Sequence, residues 1–225
     1  MTQFFRNASS MALILALTSP VLVKSETGRT SVPAHRINIR VYDYADVRSP
    51  VLTKAQSEAA RVLGRAGIET NWVGCAVPGR AVESNPFCTA KLEATDIQVR
   101  IHPRKMAKKL MKHRSEFGLA FTAAGEGFGS YASIFFHRVE ELSARRHTSQ
   151  SLLLGHLIAH EIGHLLLGSN SHSRSGIMHV PWNRSQVERA LLGTLLFTRQ
   201  ETEKMSGQVS RRWAAAEQNL AGLTR

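Results

Sequence analysis

One segment constrains this 225-residue chain more than any other: the run from Ser149 to Leu167. Leu152, Leu153, His156, Leu157, His160, His164 and Leu167 recur in it at helical spacing. Ser149 or Ser151 offers a capping hydroxyl at its start, and Gly168 stands where the helix should stop. Inside the helix lies His160-Glu161-Ile162-Gly163-His164. Residues four apart share one helical face, with Cβ atoms about 5–6 Å apart. Two imidazoles so placed can reach a single tetrahedral cation, at about 2.0–2.1 Å from each ring nitrogen if it is zinc. Glu161, rotated by about 100° from His160, stands beside such an ion and not on it. There its carboxylate can take a proton from a water that the metal polarises.

A zinc of the catalytic kind takes three protein ligands and keeps one position open. His172 is the expected third ligand. It follows Gly168 by four residues, and a glycine suits the chain reversal that would bring it back to the metal. Ser171 and Ser173 flank it as hydrogen-bond partners for the ligands. Glu188, on a later helical stretch, is the alternative third ligand. His156 lies one turn before His160, too far along the axis to share the ion, and is read as packing or as a supporting partner behind the ligands. His179 is expected to line the cleft. Trp182 is left with two readings, the floor of a specificity pocket or a core residue.

The stretch His160-Glu-Ile-Gly-His-Leu-Leu-Leu-Gly168, followed by Ser171-His-Ser and Gly176-Ile-Met178, resembles the active-site region of the metzincin zinc metallopeptidases, above all the matrixin branch. The resemblance covers residues 152–182 in detail. It implies a zinc-dependent endopeptidase that hydrolyses peptide bonds through a zinc-bound water. His160, His164 and His172 would be the zinc ligands, Glu161 the catalytic base and Met178 the residue of the methionine turn beneath the metal. The family spacing is H-E-x-x-H-x-x-G-x-x-H. Here the glycine comes one residue later and the third histidine two residues later, so the connection after the helix is longer. No tyrosine follows Met178, where some relatives carry one that stabilises the transition state.

Elsewhere the pattern alternates strands and helices. Arg36–Tyr42 and Asp96–Ile101 have the period of two of half-buried strands. Pro50 to Ala66 reads as a helix stopped by Gly67, and Ile68 to Val73 as a strand. Lys105 to His113 reads as a short basic helix, Gly118 to Ala124 and Ser130 to Val139 as two more strands. A final helical region runs from Gln186 to Leu220, broken near Phe197-Thr198. The expected class is α/β (α+β): a metzincin-like twisted sheet of five strands, an active-site helix and a mainly helical C-terminal part. The Ser130–Phe136 strand is expected at the sheet edge, where an extended substrate would pair with it.

Arg6 precedes the apolar run Met11 to Val23, which is short for a membrane span of roughly 20 residues and has the order of an export signal. Residues 1–25 are therefore expected to be a signal peptide, with an uncleaved anchor as the alternative, and 26–225 a single catalytic domain. Cys75 and Cys88 are the only cysteines. In an exported chain they are expected to form a disulfide closing the loop that carries Pro78, Gly79 and Pro86. Secretion, or residence in a periplasm, follows from the same features.

Lys and Arg number 29 against 17 Asp and Glu, for a formal charge of +12. This suits an anionic envelope surface as a partner beside the peptide or protein substrate. The basic residues are scattered and no nucleic-acid motif accompanies them, so no specific nucleic-acid partner is expected. A monomer is expected. Two rival functions stay open: an envelope-associated zinc-binding module without peptidase activity, and a cell-wall amidase.

Overall fold

The computed structural model describes residues 36–79, 85–110, 117–121, 128–168 and 171–223. Contacts divide the chain into Met1–Val32 and Pro33–Arg225, and every element below belongs to the second unit. The segment expected to be an export signal lies outside the described residues. Among those described, no helix is long and apolar enough to cross a membrane.

In chain order the elements are β1 (Arg36–Asp43), α1 (Ser49–Arg65), β2 (Glu69–Cys75), α2 (Pro86–Thr89), β3 (Asp96–His102), α3 (Arg104–Leu110), β4 (Gly118–Phe121), β5 (Tyr131–Phe135), α4 (Phe136–Arg146), α5 (Gln150–Leu167), α6 (Arg184–Leu191) and α7 (Arg199–Leu223). The class is α/β with a five-stranded sheet, as expected. The strand order is β2-β1-β3-β5-β4. β1 is parallel to β2 and β3, β3 is parallel to β5, and β4 alone runs antiparallel, against β5.

Alternation puts Ile37, Ile39 and Val41 of β1, Ile97, Val99 and Ile101 of β3, and Ala132 and Ile134 of β5 on one face, all buried. The register stacks them: Ile39 pairs with Ile97, Val99 with Ala132, and Ile101 with Ile134. α1 and α5 cover this face. Ala55, Ala59, Val62 and Leu63 of α1 join Leu154, Ile158 and Ile162 of α5 in one core cluster. α5 is thus an interior helix, which is why it is apolar almost all round.

The opposite face is polar and carries its own closure. Arg40, 1% exposed, pairs with Asp96 at 2.5 Å and donates to the carbonyls of Ala90 and Lys91 at 2.7 and 3.1 Å. Its guanidinium lies over the Phe87 ring. The Tyr42 hydroxyl donates to the Cys88 carbonyl at 2.8 Å. Cys75 and Cys88 are joined in a disulfide, as expected. A closed loop of this length stabilises by roughly 3 kcal/mol in the chain-entropy account.

Two expectations about the strands are corrected. Ser130–Val139 is not one strand: β5 ends at Phe135 and the chain turns directly into α4. Phe136, Val139, Leu142 and Ser143 are buried at helical spacing, a period that the aromatic run before them masks. Nor is this strand the sheet edge. β5 lies between β3 and β4, and β4 is the edge. The cystine loop also contains one helical turn, α2, capped by the Asn85 side chain.

The C-terminal part is helical, as expected, with its break at 192–198. Asn183 and Gln186 form a capping box on α6. Thr198 and Glu201 exchange the same pair of bonds at the start of α7, at 3.3 and 2.7 Å. α7 returns to the core through Met205 and Val209. Arg212, fully buried, donates to the carbonyls of Ala94, Gly129 and Leu165. Desolvation lowers its pKa to about 10.

Candidate metal centre

α5 begins at Ser149, whose hydroxyl accepts the Leu152 N–H at 3.4 Å, and ends at Gly168. Gly168 has φ 96°, in the left-handed region that a side chain would resist. Beyond it the chain comes back along the helix: Ser171 Oγ lies 2.9 Å from His164 Nδ1. The longer connection therefore still returns His172 to the helix. The ligand-type atoms of His160, His164 and His172 all lie within 4.8 Å of one another. His160 is buried, His164 half-buried and His172 exposed, so the group opens to solvent on the His172 side.

The protonation pattern follows from the partners. His160 Nδ1 is 2.8 Å from the Ile177 carbonyl, which can only accept, so the proton sits on Nδ1 and Nε2 keeps its lone pair. Burial, more than any charge, lowers the His160 pKa to about 4. His164 is lowered to about 3, first by burial and then by His160 and His172. His172 is lowered by desolvation. All three are neutral at pH 7. His160 Nε2 and His164 Nε2 face each other at 3.1 Å. With the His164 proton on Nδ1, toward Ser171 Oγ, both lone pairs are available to a cation between them. Three neutral imidazoles form a donor set suited to zinc and its first-row neighbours.

Glu161 is buried and is not one of this group. Its carboxylate lies against the edge strand: a β-carbon on Gly118 would come within 2.6 Å of Glu161 Oε1. Met178 is fully buried, and its sulfur sits where a side chain at Gly163 would go, 2.7 Å from an ideal β-carbon there. The loop carrying Met178 thus packs on the turn of α5 between the two helical histidines.

Trp182 is buried, and its indole N–H reaches the same Ile177 carbonyl at 3.4 Å. Its ring meets His156 and His160 edge-on, at centroid distances of 6.3 and 6.0 Å. Of its two readings, core membership is the one the structure bears out. His156 is buried and donates to the Leu152 carbonyl within its own helix, a packing role. His179 is half-buried, with Nδ1 3.3 Å from the Ser173 carbonyl. Glu188 is exposed on α6, pairs with Arg184 at 2.7 Å and stands outside the histidine group. The Ile177 carbonyl and Gly118 escaped the sequence reading. A backbone acceptor leaves no mark on a sequence, and a lone strand glycine has many explanations.

Fold and site together define a class: an α/β domain with a five-stranded sheet and a three-histidine group of metal-binding geometry on an interior helix and the loop after it. Among solved structures, the crystal structure of archaemetzincin from Methanopyrus kandleri, at 1.5 Å resolution, is similar to this chain. The TM-score is 0.44 and the identity 14%, over 79% of this chain and 98% of that one. No protein-family model and no curated protein sequence matches.

Proposed function

We infer that the chain is a zinc-dependent endopeptidase of the metzincin type, with His160, His164 and His172 as ligands and Glu161 as the base. The observation that carries this is the convergence of three neutral imidazoles beside a buried carboxylate that is not among them. Zinc, when bound, supplies a Lewis acid for the scissile carbonyl and lowers the pKa of water toward about 7. The remaining work falls to the chain. The Ile177 carbonyl and Ser171 hold the His160 and His164 rings with Nε2 facing inward. Glu161 takes the proton of the attacking water as its oxygen adds to the carbonyl carbon. It then delivers that proton to the leaving amine.

An extended peptide pairing with the outer edge of β4 would lie next to Glu161, since the carboxylate fills the space where a β-carbon on Gly118 of that strand would stand. The finer likeness to matrixins rests on the motif from His160 to Met178. The Cys75–Cys88 disulfide fits an oxidising compartment, in keeping with secretion or a periplasm.

The test is Glu161→Gln. Gln keeps the size of Glu and cannot accept the proton, so turnover of unstructured peptides should fall by about 10²–10⁴-fold or more, with zinc content unchanged. Chelation should stop the wild type and added zinc restore it. Zinc-loaded wild type that leaves diverse peptides intact and cuts cell-wall fragments would make the chain an amidase. If it cuts neither, a binding module is the better description.

A further inference from the structure

We propose that Gly118 is a positioning residue for Glu161: β4 lacks a β-carbon there because the carboxylate occupies that space. The proposal rests on the reading of Glu161 as the base.

A glycine inside a strand weakens it and commonly marks a close approach of another group. Gly118 lies in β4 opposite Ile134 of β5. Its φ is outside the left-handed region, unlike Gly67, Gly79, Gly168, Gly176 and Gly193, so conformational freedom does not explain it. Space does. An ideal β-carbon at this position would lie 2.6 Å from Glu161 Oε1, 2.7 Å from Glu161 Cδ and 2.6 Å from the Ser133 carbonyl oxygen. β-Carbons essentially never come closer than 3.0 Å to such atoms. Glu161 is buried, and its carboxylate would have to swing away from this place to make room for a β-carbon.

One consequence concerns the substrate. The strand whose outer edge would receive an extended peptide holds the base against its backbone. The register of a peptide along β4 is therefore also its register relative to the Glu161 carboxylate. A misplacement of about 1 Å at such a site costs on the order of 10²-fold in rate.

The Ser133 carbonyl provides a purely structural competitor, so the experiment uses a cycle: wild type, Gly118→Ala, Glu161→Ala and the double variant. Melting temperatures are measured on metal-free protein. Zinc affinity, kcat and KM are measured on wild type and Gly118→Ala. Gly118→Ala should lower the melting temperature in the wild-type background and lower it clearly less when Glu161 is already Ala. It should leave zinc affinity and KM near wild type and reduce kcat on the order of 10²-fold. Equal thermal losses in both backgrounds would assign the glycine to Ser133 alone and overturn the proposal. So would an unchanged kcat in folded Gly118→Ala. If Gly118→Ala folds only in company with Glu161→Ala, the proposal stands; if neither folds, it falls. If wild type cleaves no peptide, the functional reading fails, and the thermal cycle still decides whether Glu161 and Gly118 compete for one space.

Discussion

Two polar clusters lie on opposite sides of the sheet, one buried and one open to solvent at His172, and they are built on opposite principles. Around Arg40 a cation meets acceptors: the Asp96 carboxylate and the carbonyls of Ala90 and Lys91. Asp96 in turn accepts the Glu93 N–H at 3.1 Å and the Asn38 amide at 3.0 Å. The carboxylate and both terminal guanidinium nitrogens find partners within the chain, while Arg40 Nε has none among the described residues. The histidine group instead brings three copies of one side chain together, with lowered pKa values and two Nε2 atoms 3.1 Å apart. Nothing in that set supplies a cation for the lone pairs. The first cluster satisfies its charge within the fold; the second leaves lone pairs facing one another, which supports its reading as a ligand-binding group.

The sharpest way to break this contrast is to remove half of the closed cluster. Arg40→Met leaves the Asp96 carboxylate buried without its cation and should destabilise the protein by about 3–5 kcal/mol. Denaturant melts with and without zinc would read this. The loss should be the same in both, because the cluster lies on the other face of the sheet from α5. A loss that zinc reverses would mean the two clusters are linked.

Next comes the open cluster. Zinc at 100 times its dissociation constant should stabilise the wild type by about 2.7 kcal/mol. His172→Ala should abolish that gain and leave metal-free stability near wild type, since His172 is exposed. If the gain survives His172→Ala and disappears in Glu188→Ala, the third ligand is wrongly assigned.

How much of this was legible beforehand depended on what kind of signal each part leaves. His160 and His164 stand at a fixed helical spacing, and Ser149 and Gly168 bracket their helix with known end chemistry, so α5 could be read directly. β1 and β3 alternate cleanly because one face meets the apolar core under α1 and α5 and the other carries polar side chains such as Arg40, Asp96 and Gln98. α4 was missed because Tyr131–Phe136 is rich in aromatic and β-branched residues, and the helical period of Phe136, Val139 and Leu142 starts inside that run. The edge position of β4 was missed because strand order depends on crossovers, which no local pattern records. His172 could be proposed from Gly168, but its return to the helix depends on Ser171 reaching His164, a contact across seven residues.

The smallest effect lies in the acid response of the metal-free protein. His160 and His164 have folded pKa values lowered to about 4 and about 3 from an ordinary value of 6.5, chiefly by burial. As the pH falls, the unfolded chain therefore takes up protons before the folded one does. The stability that neutral burial secures is complete above pH 6.5, declines below it, and is lost as the pH passes through about 4 and then about 3. One pH unit below 6.5, each such histidine costs the fold about 1.4 kcal/mol. His102, His137 and His156 are lowered too, mainly by desolvation, and push in the same direction, so the slope does not belong to the three-histidine group alone. The discriminating measurement compares wild type with His164→Ala at pH 7.5 and 5.5 in chelator. The variant should lose less stability between the two, by the share of one histidine. Repeating it with zinc should steepen the wild-type curve, because protons then compete with the metal for the same lone pairs. Identical curves for the two proteins would show that His164 takes up protons as readily in the folded chain as in the unfolded one, and the open cluster would then be no more constrained than a surface histidine.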